Sequence, residues 1–197
     1  MLNKKNLVVA TLATMAAVAL VVTQTAESKQ NQANKLEGAW VAKVPGMPVQ
    51  WSYVLSPSDP SGRRAAISGS LHVRIPADIL YPDLVPATDY SSDLVGEAMM
   101  TGPDTANFTS VGYGINKVDP PAPFYEQVVL IWVNSGQVKF TGPGKTEVTH
   151  HVAYYLPAAD GDGDGLPDPG QTPFLCLPAT SLDTRVGLMP PCPPPTP

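Results

Sequence analysis

Charge is scarce in this 197-residue chain: Asp, Glu, Lys and Arg together make up 15% of it. Long amphipathic helices need such residues for their solvent face, so little of the chain can be built that way. Twenty-three prolines cut the rest into short segments, since each removes an amide donor and blocks an interior helical turn. Cysteine is nearly absent. Cys176 and Cys192 are the only two, which excludes a disulfide framework and a four-cysteine zinc site. One bridge, Cys176 to Cys192, is what an oxidising compartment would allow, closing the end of the chain. Catalytic signatures are missing as well: there is no Gly-x-Ser-x-Gly elbow, no His-Glu-x-x-His and no phosphate-cradling glycine loop. Of the three histidines, His150 and His151 are adjacent in a strand-like run, point to opposite faces and cannot grip one ion. Glu37, Glu97, Glu126 and Glu147 have no spacing that brings two carboxylates together. No reaction is named by these residues.

What is present begins with an address. Lys4 and Lys5 precede an uncharged apolar run over residues 7–22. As a helix those 16 residues span about 24 Å, short of the roughly 30 Å hydrocarbon core of a bilayer. The segment 1–26 is therefore expected to be a removable signal peptide, with an uncleaved N-terminal anchor as the alternative. This expectation places the protein outside the cytoplasm, secreted or at the cell surface or in a periplasm. Removing Lys4 and Lys5 takes the formal net charge from −5 to −7. An acidic domain has no electrostatic attraction to nucleic acid or to anionic lipid. Neither is expected as a partner once the signal is gone.

Residues 27–35 are polar and unpatterned, a tether. From residue 36 to 156 strand-like runs follow one another. Ala65, Ile67, Leu71, Val73 and Ile75 share one parity, with His72 and serines on the other; such alternation suits a sheet with one buried face. In the last run Val148, His150, Val152, Tyr154 and Leu156 share a parity. Asn134-Ser135-Gly136 reads as a hairpin turn between two runs, 127–133 and 137–141. Gly112 and Gly114 read as a bulge or bend. Residues 76–95 form the longest irregular connection, rich in proline and carrying Tyr81, Leu84, Val85 and Tyr90. The spacing leaves no room for crossover helices. The expected fold is all-β: an antiparallel up-and-down meander of about eight strands, closed or partly open as a barrel, with a β-sandwich as the alternative. Residues 176–197, with proline at 178 and from 190 onwards, read as a Pro-rich tail.

Gly38-Ala39-Trp40 resembles the Gly-x-Trp signature at the first strand of lipocalin-like barrels. The resemblance implies that Trp40 closes the barrel floor and that the lumen takes a small apolar ligand. Trp51, Phe108, Tyr154 and His150 are the residues expected to line it.

The most specific motif is acidic. Residues 160–168 read Asp-Gly-Asp-Gly-Asp-Gly-Leu-Pro-Asp. Asp160, Asp162, Asp164 and Asp168 stand at positions 1, 3, 5 and 9 of an EF-hand-type loop, with glycine at 6 and the Leu166 carbonyl at 7. Gln171 stands where the bidentate glutamate would be, and no helices flank the loop. The segment 157–175 is thus closer to the calcium loops of thrombospondin type 3 repeats, which it resembles in a single copy. That resemblance implies one structural Ca²⁺, bound with an affinity in the extracellular range of about 10⁻⁴–10⁻³ M. Together these features point to an exported, non-enzymatic binding protein. The alternatives are a Ca²⁺-stabilised structural or adhesion module with a cell-surface partner, or an enzyme with its site in the barrel mouth.

Overall fold

Alternation decides the architecture from the first strand onwards. In the computed structural model, which describes residues 35–47, 50–71, 83–118 and 126–187, strand β1 (Gly38–Lys43) buries Trp40 and Ala42 and exposes Ala39 and Lys43. Strands β2 (Gln50–Pro57), β3 (Arg64–Leu71), β5 (Leu94–Met100), β6 (Thr105–Lys117), β7 (Glu126–Gly142), β8 (Lys145–Tyr155) and β9 (Leu175–Arg185) follow the same rule, and β4 (Tyr90–Ser91) is a two-residue addition. Every pairing is antiparallel. Eight strands run β1-β2-β3-β5-β6-β7-β8-β9, and β9 returns to pair with β1, while β4 extends the ladder beside β6. The result is a closed barrel and not a sandwich. Closure leaves no strand edge around most of its girth. One set of inward side chains, including Trp40, Leu55, Ile67, Ala98, Ala106, Trp132 and Val148, forms a single core.

The count of eight strands is reached by a different route from the one the sequence suggests. Asn134-Ser135-Gly136 is not a turn but the middle of β7, paired with β6 and β8 on its two sides. Asn134 faces the lumen, and Gly136 sits where a Cβ would lie 1.8 Å from the Thr149 carbonyl oxygen. The glycine is there for close approach between strands, and the asparagine for a hydrogen bond. The missing strand is supplied by the supposed tail: residues 176–185 belong to β9, so the barrel extends past residue 156 to 185. The prolines concealed it. Pro178 is tolerated because β1 pairs with β9 only through Leu182–Arg185, so one side of β9 is unpaired at Pro178.

Other readings hold locally. The ladder between β6 and β7 is irregular between Gly114 and Ile115, the expected bulge, and Gly144 turns β7 into β8 at φ +62°. Leu156 departs from its parity: β8 ends at Tyr155 and Leu156 is exposed. Lys35, the last residue of the expected tether, is pinned to the barrel by its ion pair with Asp104. The signal peptide, His72, Tyr81 and Cys192 lie outside the described residues. Cys176 is exposed and unbridged among them.

Gly136→Ala should cost about 2 kcal/mol of stability, because its methyl meets backbone and not a movable side chain. Urea titration of both proteins, with an unchanged m-value and a lowered midpoint for the variant, is the check.

Candidate functional site: the lumen and the acidic loop

The floor of the barrel is built where β1 begins and β9 ends. Trp40, 2% exposed, donates its indole N–H to the Leu36 carbonyl at 3.1 Å and lies against Tyr53 and Phe140. The Arg185 guanidinium lies over the Trp40 ring, 5.1 Å from its centroid, and donates to the Lys35 carbonyl. A tryptophan read as the barrel plug from Gly38-x-Trp40 is therefore fixed by three neighbouring strands.

Above that floor the lumen encloses a cavity of about 40 Å³. At about 10–15 Å³ per water such a space holds roughly three or four water molecules. Its walls combine the aromatic rings of Trp40, Trp51, Tyr53, Phe108 and Phe140 with a polar set: Ser110, Asn134, Thr146, His150 and Asp183. Trp51, Phe108 and His150, three of the four residues expected from sequence, meet here. Trp51 and Phe108 each present a T-shaped contact to the His150 ring at 5.4 Å. Tyr154 is buried in the core but does not line this cavity.

The polar residues form one chain. His150 Nδ1 is 3.1 Å from Asn134 Oδ1, and His150 Nε2 is 2.8 Å from Ser181 Oγ. Ser181 Oγ lies 2.6 Å from Asp183 Oδ1, and the Tyr53 hydroxyl donates to Asp183 Oδ2, also at 2.6 Å. Hydrogens can be counted along it. Ser181 has one hydroxyl proton for two neighbours, and Asn134 Oδ1 accepts the Nδ1 proton of His150. All bonds are satisfied when the Asp183–Ser181–His150 set carries one proton more than a carboxylate and a neutral imidazole would. That proton rests on Asp183 with His150 neutral, or on His150 with Asp183 ionised. Passing through the Ser181 hydroxyl interconverts the two.

Burial selects between them. It pushes the Asp183 carboxyl above its ordinary value, against the lowering effect of the Ser181 and Tyr53 hydroxyls. It also holds the His150 imidazole down at about 4, with the neighbouring His151 contributing. Both shifts favour the neutral pair. Burial, then Asp183, raises the Tyr53 phenol well above its usual range.

The sequence alone did not reveal Tyr53, Asn134, Thr146, Ser181 or Asp183 as lumenal. The signal for the last two was present: Leu175, Leu177, Ala179, Ser181 and Asp183 share a parity, changing from apolar to polar towards the floor. Prolines and a late chain position masked it.

The acidic loop lies outside the barrel, between β8 and β9. A 3₁₀ turn (Pro157–Ala159) packs on β7, where the outward-facing Ile131 is only 2% exposed. The Tyr113 hydroxyl donates to the Gly165 carbonyl at 3.0 Å. Inside the loop, Asp160 accepts from Gly165 N–H, Asp162 from Asp164 N–H, Asp164 from Leu166 N–H and Asp168 from Gly161 N–H. Gly163 and Gly165 adopt φ of +76° and +90°, which a side chain would resist. Carboxylate oxygens of Asp160, Asp162 and Asp168 fall within 4.8 Å of one another. Two ligands at 2.3–2.6 Å from one Ca²⁺ span at most about 5 Å, so this triplet fits a single ion. Asp160 Oδ1 is buried with no hydrogen-bond partner, as an oxygen reserved for a cation would be. Asp164, whose carboxylate caps Leu166, stands apart from the triplet.

No protein-family model and no curated protein matches the chain. Among solved structures it is similar to EF1p2_mFAP2b bound to DFHBI, at 16% sequence identity over 79% of this chain and 98% of that chain, with a TM-score of 0.43. That likeness lends nothing to the reading of the lumen.

Because the unfolded chain protonates His150 near 6.5 and the folded lumen refuses the proton until about 4, stability should fall as pH drops through that window. Asp183, with a raised pKa, works in the opposite direction: its contribution is present at low pH and is lost as pH rises through its folded value. Replacing His150→Phe should remove the histidine part of the slope while leaving that of Asp183. Urea midpoints for both proteins between pH 4 and 7 measure the difference, and parallel curves would contradict it.

Proposed function

We propose that this is an exported, non-enzymatic lipocalin-like barrel whose lumen holds a small, largely apolar ligand with one hydrogen-bonding group, and whose acidic loop carries one structural Ca²⁺. The observation that carries the lumen reading is the meeting of Trp51 and Phe108 around His150 at a cavity with a hydrogen-bonded polar row on one wall. Apolar walls with few oriented polar groups are the usual make-up of a small-molecule site. A ligand of three or four heavy atoms suits the space as it stands; a larger one requires the half-buried Trp51 and Phe108 rings to swing aside. The apolar segment 7–22 supports export, and the ion-sized carboxylate triplet supports the metal. Asp160, Asp162 and Asp168 would hold the ion, with the Leu166 carbonyl and water completing the shell. Its effect would be to fix the β8–β9 connection.

Native mass spectrometry of the chain from residue 27 should show a small co-purified molecule lost on unfolding, and one added Ca²⁺ at millimolar concentration. A bare chain whose tryptophan fluorescence ignores a panel of small apolar compounds would remove the lumen reading.

For the loop, a hundredfold excess of Ca²⁺ over its Kd should add about 2.7 kcal/mol of stability. Calorimetry should give a binding heat that disappears in Asp160→Asn and Asp162→Asn. If chelation leaves thermal unfolding unmoved, the metal assignment is wrong.

A further inference from the structure

A carboxylate enclosed by aromatic rings is a setting that selects for a cation. Asp183 is 2% exposed and lines the cavity together with Trp40, Trp51, Tyr53, Phe108 and Phe140. Once ionised, Asp183 accepts one hydroxyl on each oxygen, from Tyr53 and from Ser181, which leaves accepting capacity on both. Its cross-strand neighbour on β8 is Thr146, 3% exposed and lining the same cavity. The Thr146 hydroxyl oxygen is buried without a hydrogen-bond partner. Among the described residues no Lys or Arg lines the cavity; the Arg185 guanidinium lies over Trp40 and donates to the Lys35 carbonyl. The cavity is thus rich in acceptors and π-faces and short of N–H donors.

We propose that the lumen binds the ammonium head of a small primary amine, held by the Asp183 carboxylate and the Thr146 hydroxyl against the Trp51, Tyr53 and Phe108 rings. This rests on the lumen-binding reading and narrows its ligand class. A primary ammonium brings three donors, enough for Asp183, Thr146 and one further acceptor. A guanidinium is too broad for a 40 Å³ space, and a quaternary ammonium offers Thr146 nothing to accept. Charge balance adds a coupling. The Asp183–Ser181–His150 set holds one proton beyond those of a carboxylate and a neutral imidazole, and an ammonium entering beside Asp183 replaces that proton's charge. Binding releases it, and the Asn134 amide turns so that its N–H₂ meets the vacated Nδ1 of a neutral His150. The groups around Asp183 are Ala42 from β1, Tyr53 from β2, Thr146 from β8 and Ser181 from β9, with His150 reached through Ser181 and the Arg185 cation two residues along β9 over Trp40; of these, Tyr53 and His150 titrate.

Methylammonium and ethylammonium chloride, titrated into the full chain at ionic strength matched with sodium chloride, are the probes. Methanol and ethanol serve as neutral counterparts. The Trp51 indole N–H resonance, identified with Trp51→Phe, is the readout. The expected result is a saturable shift, millimolar for ligands so small, about tenfold or more tighter for amines than for alcohols. It should be abolished in Asp183→Asn and weakened several-fold in Thr146→Val. Affinity should rise about tenfold per pH unit below the folded pKa of Asp183 and level off above it. If Asp183→Asn fails to fold, Thr146→Val and the pH profile decide. Equal binding of amines and alcohols, or amine binding retained in Asp183→Asn, overturns the cation preference and leaves the lumen reading standing. No response of Trp51 to any probe removes both.

Discussion

The structure depends on one short seam. Strand β9 returns from the far end of the chain to pair with β1 over four residues, Leu182–Arg185 against Trp40–Lys43. That pairing turns an eight-stranded sheet into a closed surface with a shared interior. It sets Asp183 beside Ala42 and brings Arg185 over Trp40. Without it the inward faces of β1 and β8 would look out onto water, and the carboxylate, imidazole and two hydroxyls along the wall would have no reason to be arranged as a chain. Closure and lumen chemistry are one event.

The interior is a compromise between packing and polarity. Aromatic side chains fill most of it, as dispersion and apolar burial demand. Along the β7–β8–β9 wall, however, Asn134, His150, Ser181 and Asp183 are withdrawn from water and hydrogen-bonded to one another and to Tyr53. A core built for stability alone would fill those positions with Leu or Val, avoiding the desolvation of an acid and an imidazole. Their presence marks the wall as the part of the barrel where chemistry has been favoured over packing.

Much of the fold was legible because period-two burial is a strong signal. Ala65 with Ile67, and Val148 with His150, fell on the inward parity that the chain announced. Two misreadings arose where local composition imitates a different element. Asn134-Ser135-Gly136 has turn residues, yet Gly136 is required by the close approach of the Thr149 carbonyl and Asn134 by His150, contacts made by residues far along the chain. Residues 175–185 have a proline inside a strand, permitted only because one side of β9 is unpaired there. Half of the candidate site suffered the same fate. His150 could be picked out by its parity and Trp51 and Phe108 as aromatic groups of the expected barrel, whereas Asp183 becomes significant only once register places it beside Ala42 and Thr146.

The acidic loop has an entropic meaning as well as a chemical one. It is the tether between the penultimate strand and the strand that seals the cylinder. The Asp168 amide is bonded to the Ala159 carbonyl and its carboxylate to the Gly161 amide, which cinch the segment into a small knot. Shortening the free length of a connection lowers the entropy lost when its ends come together. A cinched loop therefore lays the strand that seals the cylinder alongside β8 at a smaller entropic cost.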